Sequence, residues 1–254
     1  MNVRMRQICL VARELAPVVE DFREAFGLVV CHRDPGVGKY GLENALFAVG
    51  GNFLEVVAPL REGTAAGRYL DRRAGDGGYM VITQCEDLAP RRRRCETLGV
   101  RIANEIVHPD YQEIQLHPRD VGGAMLSFAR QEGAHTPDSP WHPAGGRPTP
   151  GVAAPLLTEL VGAELQSEAP DRLAQRWSDV LDLPLTRDAR ARPVIALDDA
   201  RLRFVPASDG RGEGLAGLDV QCTDPSRALT AARMAGLPVH DDTVIICGIR
   251  FTFA

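Results

Sequence analysis

The sequence has no CxxC pair, no long apolar run and no excess of positive charge, and each absence narrows what the chain can be. Its six cysteines, Cys9, Cys31, Cys85, Cys95, Cys222 and Cys247, fall mostly inside apolar runs where a small hydrophobe fits, so reduced core thiols are expected. A formal charge of −5 opposes a dominant nucleic-acid role, because phosphate binding needs concentrated Lys and Arg. The basic run from Arg91 to Arg94 has Glu86, Asp87 and Glu96 beside it in a predicted helix and reads as a solvated face. The first residues run straight into a strand-like segment, with neither a signal-peptide pattern nor a membrane span, which implies a cytoplasmic protein without a membrane partner. Aromatic residues make up only 6%, which argues mildly against a ligand groove walled by aromatic rings.

What the sequence does hold is a repeat. Gln84-Cys85-Glu86-Asp87 recurs as Gln221-Cys222-Thr223-Asp224, a shift of 221 − 84 = 137. Gly123 to Ala129 recurs in character as Gly248 to Ala254, a shift of 248 − 123 = 125. With 44% hydrophobic and 25% charged residues there is ample material for two cores, so the chain reads as two related domains.

The order of elements supports this. Ile8 to Ala12 reads as a strand, and Val18, Phe22, Ala25 and Phe26 return at helical spacing before Gly27. Strands follow at Val29 to His32, Asn44 to Val49 and Phe53 to Pro59, giving βαβββ. A short helix from Gly67 to Arg73 leads into a second βαβββ unit: strand Tyr79 to Cys85, helix Leu88 to Leu98, and strands near Ile102 to His108, Glu113 to Leu116 and Ala124 to Ala129. Residues 1–130 form the first domain; the Pro- and Gly-rich stretch 131–155, with Trp141 in it, reads as a linker; residues 156–254 repeat the pattern in reduced form. The fold class is α+β, with tandem paired βαβββ modules.

Three strings in the first domain resemble the vicinal oxygen chelate superfamily, in its glyoxalase I and methylmalonyl-CoA epimerase branch. They are Phe53 to Leu60, Tyr69 to Arg73 with Gly77, and His117 to Gly123, in the family's order. The resemblance implies open barrels of curved sheet, with four inward side chains holding a divalent metal that stabilises an enolate-like oxygen. Carried over residue by residue, those four stations fall on Gln7, Glu55, Met80 and Ser127. Two are compatible with a metal and two are not, because a thioether and a hydroxyl do not replace His and Glu ligands. No metal or other cofactor is therefore expected unless Tyr79, His32 or a residue outside the quartet steps in. In the second domain the stations fall on Gly162, Arg203, Gly217 and Thr252, which leaves no metal ligand there and makes that domain a structural partner, with Arg203 expected as an exposed charge.

Glu55 divides the functional readings. A carboxylate facing a barrel without a metal is desolvated, its pKa rises, and it becomes a proton-transfer candidate; alternatively it is satisfied by hydrogen bonds to Gln7 and Ser127. His117 is read as a structural hydrogen-bonder, and Tyr79 and Met80 as pocket liners. The leading expectation is an apolar pocket binding a small organic metabolite, with Glu55 catalytic and Gln7, Tyr79, Met80 and Ser127 binding, in a lyase or isomerase acting by proton transfer. The alternatives are a sequestering protein like the bleomycin-resistance proteins and a metal-dependent glyoxalase or epimerase with substituted ligands. The assembly is a monomer or a homodimer.

Overall fold

The computed structural model describes residues 3–134, 136, 138–146 and 155–254. The first half runs β1 (Val3–Val11), α1 (Leu15–Phe26), β2 (Val30–His32), β3 (Leu42–Val49), β4 (Asn52–Pro59), α2 (Ala65–Arg73), β5 (Gly77–Cys85), α3 (Ala89–Leu98), β6 (Ile102–Val107), β7 (Tyr111–Leu116), α4 (Pro118–Val121) and β8 (Met125–Gln131). The second half runs β9 (Leu157–Ser167), α5 (Pro170–Leu181), β10 (Leu185–Arg187), β11 (Pro193–Ala196), β12 (Arg201–Pro206), β13 (Gly214–Cys222), α6 (Pro225–Met234), β14 (Val239–His240), β15 (Thr243–Ile246) and β16 (Ile249–Phe253). Each half is one eight-stranded sheet, ordered β2-β3-β4-β1-β5-β8-β7-β6 and β10-β11-β12-β9-β13-β16-β15-β14, so the two topologies are identical. The short strands β10 and β14, of three and two residues, carry no periodic signal and escaped the sequence reading.

Side-chain alternation places the cores. Along β1, β4 and β5, Cys9, Val11, Phe53, Val57, Met80 and Ile82 point into the concave face of the first sheet. Ile8, Leu10, Leu54, Val56 and Val81 point the other way, into a larger cluster shared by both halves. There the rings of Phe22 and Phe26 pack 5.5 and 5.6 Å from that of Phe251. Where β5 meets β13 the approach is so close that a Cβ on Gly78 would lie 2.6 Å from the Leu215 carbonyl oxygen. No helix of the described residues is long and apolar enough to cross a membrane.

Two expectations need correction. Arg91 is buried rather than solvated: its guanidinium donates to the Leu181 carbonyl at 2.6 Å and lies over the Phe128 ring, while Arg94 donates to the Asp179 carbonyl at 2.7 Å. Both carbonyls lie in the last turn of α5, where peptide oxygens lack intrahelical partners and the helix end is negative, so the basic run clamps one half to the other. The stretch 131–155 does more than connect. Its residues 138–146 fold back on the first barrel and bury Trp141 completely, whereas 135, 137 and 147–154 lie outside the described residues.

Candidate functional site

The concave face of the first sheet encloses a cavity of about 500 Å³, within the range of small-molecule sites. Leu42, Val57, Met80, Ile82, Ile106 and Met125 supply its apolar walls. β1 and β4 run parallel with Cys9 opposite Glu55, which sets the Glu55 carboxyl inside the barrel beside Gln7. Gln7 Nε2 donates to Glu55 Oε2 at 2.8 Å and Asn44 Nδ2 donates to Glu55 Oε1 at 2.6 Å. Burial pushes the Glu55 pKa up, and the hydrogen bonds from Asn44, the Cys9 thiol and Gln7 offset only part of that effect. Cys9 itself is held far above the usual thiol range, by burial first and then by the neighbouring carboxylate.

The structure brings four of the five expected site residues to the cavity. Gln7, Glu55, Tyr79 and Met80 line it; Tyr79 packs edge-on against Tyr69 at 5.1 Å, and burial pushes its phenol up to about 12. Ser127 is the exception. It is fully buried, its Oγ has no partner at hydrogen-bond geometry, and the carboxyl it influences is Glu113, not Glu55. The expected Gln7–Glu55–Ser127 cluster is therefore Gln7–Glu55–Asn44. His117 caps α4 by accepting from the Arg119 amide at 3.2 Å, a structural role.

Two functional groups escaped the sequence reading. Glu113, 3% exposed, lines the same cavity, accepts from Tyr111 Oη at 2.7 Å and Gln115 Nε2 at 3.2 Å, and has its pKa raised by burial. The signal was present as alternation: Tyr111, Glu113 and Gln115 share one face of β7 while Ile114 and Leu116 take the other. A polar face on an edge-proximal strand reads as solvent-facing, and only barrel curvature turns it inward. The second is Trp141, whose indole N–H donates to Gln7 Oε1 at 2.6 Å while its ring packs edge-on against Tyr111 at 5.2 Å.

These bonds test the fit of a metal. A ligating glutamine offers its carbonyl oxygen, but Gln7 Oε1 is taken by Trp141 and its NH2 faces Glu55. Met80 offers only a thioether, and Ser127 does not line the cavity. Among the described residues no group of three or more His, Cys, Asp or Glu could hold an ion. The four family stations do not make a donor set for a divalent cation.

In the second barrel the strand register confirms the carried-over positions: Arg203 pairs with Glu164 as Glu55 pairs with Cys9, and Gly217 pairs with Glu164 as Met80 does with Cys9. Arg203 is not the exposed charge expected. Its guanidinium donates to Glu164 Oε2 at 2.9 Å and Asp219 Oδ1 at 2.8 Å, and Arg250 donates to Glu164 Oε1 at 2.7 Å. Burial opposes the Arg203 charge, yet the bonds and charges of Asp219 and Glu164 outweigh it and hold its pKa up; Glu164 is correspondingly held down by Arg250 and Arg203. A cavity of about 820 Å³ lies at the mouth of this barrel.

Comparison with known proteins places this architecture. Residues 8–181 match the model of the glyoxalase-like domain family. No curated protein matches. Among solved structures, a hypothetical protein from Staphylococcus aureus aligns over 100% of this chain and 99% of its own at 12% identity and a TM-score of 0.65, which shows the tandem fold over the full length. Methylmalonyl-CoA epimerases of Streptomyces coelicolor and Mycobacterium tuberculosis align over 52% and 50% of this chain, and 99% and 87% of theirs, at 21% and 23% identity with TM-scores of 0.46 and 0.44. With the family model spanning more than half of the sequence and the paired βαβββ barrels in place, this chain belongs to the glyoxalase-like domain family of the vicinal oxygen chelate superfamily.

Proposed function

We propose that the first barrel binds a small organic molecule and moves a proton on it with Glu55, as an isomerase or lyase that needs no resident metal. The observation that carries this reading is the Glu55 carboxyl: buried, held by two amide donors, and open to an apolar cavity. Such a group has its affinity for protons raised toward the pH at which it works, and its orientation is fixed before a ligand arrives. Gln7 and Asn44 position Glu55; Trp141 fixes the Gln7 amide so that its NH2, not its carbonyl, meets the carboxylate. The substrate-orienting roles expected of Gln7 and Ser127 are reassigned, because Gln7 has both ends committed and Ser127 is fully buried outside the cavity lining. The reaction begins when Glu55 takes a proton from a carbon made acidic by a neighbouring carbonyl.

Deuterium exchange tests this. In D2O the protein should exchange the acidic C–H of a bound carbonyl ligand, and Glu55→Gln should bind the ligand without exchanging it. Exchange at an unchanged rate in the variant removes Glu55 from the role. The sequestering reading keeps one supporting observation, the rings of Tyr40, Tyr79, Tyr111, His108 and His142 around the cavity, which are denser there than in the chain as a whole. Tight binding with no exchange by the unaltered protein would favour it.

A further inference from the structure

The two barrels serve as controls for each other, because their strands pair in the same register. Glu55 corresponds to Arg203, Cys9 to Glu164, Ile82 to Asp219 and Met125 to Arg250. The second barrel is charge-complete: two carboxylates, Glu164 and Asp219, meet two guanidiniums, Arg203 and Arg250. In the first barrel none of the four stations keeps its charge: Cys9 and Ile82 stand where the carboxylates are, Glu55 and Met125 stand where the guanidiniums are, and a second carboxyl, Glu113 of β7, lines the same cavity. Among the described residues, every hydrogen bond on these two carboxyls comes from a neutral donor: the amides of Gln7, Asn44 and Gln115, the Cys9 thiol and the hydroxyl of Tyr111. Lys39, the chain's one lysine, lines the cavity with its ammonium 4.9 Å from the centre of the Tyr40 ring. His142, also on the lining, is turned toward Asp110 at 3.4 Å.

We propose that a positive charge arrives with the ligand: the first barrel takes an organic cation, a protonated amine or amidine on an apolar body, whose nitrogen meets Glu113 beside Tyr111 while Glu55 faces the reacting carbon. Two buried carboxyls facing one cavity are costly as anions and are relieved by a cation placed between them. The Tyr111 ring, stacked on His142 and edge-on to Trp141, and the rings of Tyr40 and Tyr79 add aromatic surface to the lining, which a cation favours over an anion. The ligand's charge also has a consequence for chemistry. It favours the anionic form of the two carboxyls, the form in which Glu55 acts as a base, and an ammonium next to the reacting carbon stabilises the carbanion formed there. The other titratable groups that line the cavity with the two carboxyls are Cys9, Asp34, Lys39, Tyr40, Tyr79, His108, Tyr111 and His142.

This inference rests on the reading of the first barrel as a ligand site, and the test separates the two. Phenethylamine, 2-phenylethanol and phenylacetate share a body and differ in the polar end; their binding to the full chain is measured by calorimetry at neutral pH and at successively more acid pH. At neutral pH the amine is expected to bind at least about tenfold more tightly than the alcohol, with the carboxylate weakest, and its advantage over the alcohol should shrink on acidification as the two carboxyls take up protons. Glu113→Gln should weaken the amine about tenfold and leave the alcohol unchanged. The pH dependence of the amine's advantage in the unaltered protein is the second readout, independent of whether the variant folds. Equal or tighter binding of the alcohol or the carboxylate, or an amine advantage that does not shrink on acidification, overturns the cation proposal while the pocket stands. Failure of all three at millimolar concentration overturns both.

Discussion

Removing Arg203 exposes the energetics of the second barrel. Arg203→Met deletes both bonds to Asp219 and those to Glu164, leaving Glu164 with Arg250 alone and Asp219 without its cation. The side chains are 13–17% exposed, so solvent does little to compensate. Breaking a buried pair by deleting one partner costs about 3–5 kcal/mol, and the residual exposure points to the lower end, about 3 kcal/mol. For a chain of this size that is a fall in Tm of about 6–12 °C. The sign of the pH dependence is specific. Glu164 has a folded pKa below its unfolded value, so it stabilises the protein above the unfolded pKa, and that stability is lost as pH falls through the folded one. In the variant Glu164 keeps only Arg250 and Asp219 loses its cation, so the folded pKa of Glu164 rises and acid relieves the unbalanced charge. The gap between variant and unaltered protein in urea denaturation should therefore be largest near pH 7 and shrink toward pH 4. A loss below about 1 kcal/mol, or one independent of pH, refutes the account of this network.

Other perturbations reach other parts of the argument. Glu55→Gln should lower turnover of an identified substrate by at least about 100-fold. Because the folded pKa of Glu55 is raised, kcat/KM of the unaltered protein should fall on acidification with a midpoint above the ordinary 4.5 of a glutamate. Trp141→Phe keeps the ring but removes the N–H from buried Gln7 Oε1; a loss of about 1–3 kcal/mol in denaturant titration is expected, with weaker ligand binding as Gln7 becomes free to turn. Gly78→Ala drives a methyl group into Leu215 where the halves meet and should cost about 1–3 kcal/mol, read as a drop in Tm. Dialysis against a strong chelator should leave Tm and ligand affinity unchanged, with elemental analysis finding no stoichiometric zinc, nickel, cobalt or manganese.

The fold was legible because the repeat and the βαβββ order are written in strong local signals: Gly27, for example, closes α1 at φ 68°, a conformation glycine adopts freely. The stations on β1, β4 and β5 were also legible, and the offsets that carried Gln7, Glu55 and Met80 to Gly162, Arg203 and Gly217 agree with the strand register. What the sequence hid depends on curvature and long-range contact. Glu113 sits in an alternation that fits a solvent face as well as a barrel interior. Asn44 looks like any polar residue at a strand start. Trp141 lies in a stretch whose prolines and glycines read as connection, and Arg91 is surrounded by charges that suggest solvent, although its partner carbonyl is 90 residues away.

The central claim is that the first barrel holds two buried carboxyls, Glu55 and Glu113, facing one cavity and bonded to no cation among the described residues. NMR titration of side-chain ¹³C-labelled glutamate tests it most directly. Two carboxyl carbons should titrate above the ordinary glutamate range, one disappearing in Glu55→Gln and the other in Glu113→Gln. If both instead titrate at or below that range, these carboxyls are paired or solvated, and the account of the site is contradicted.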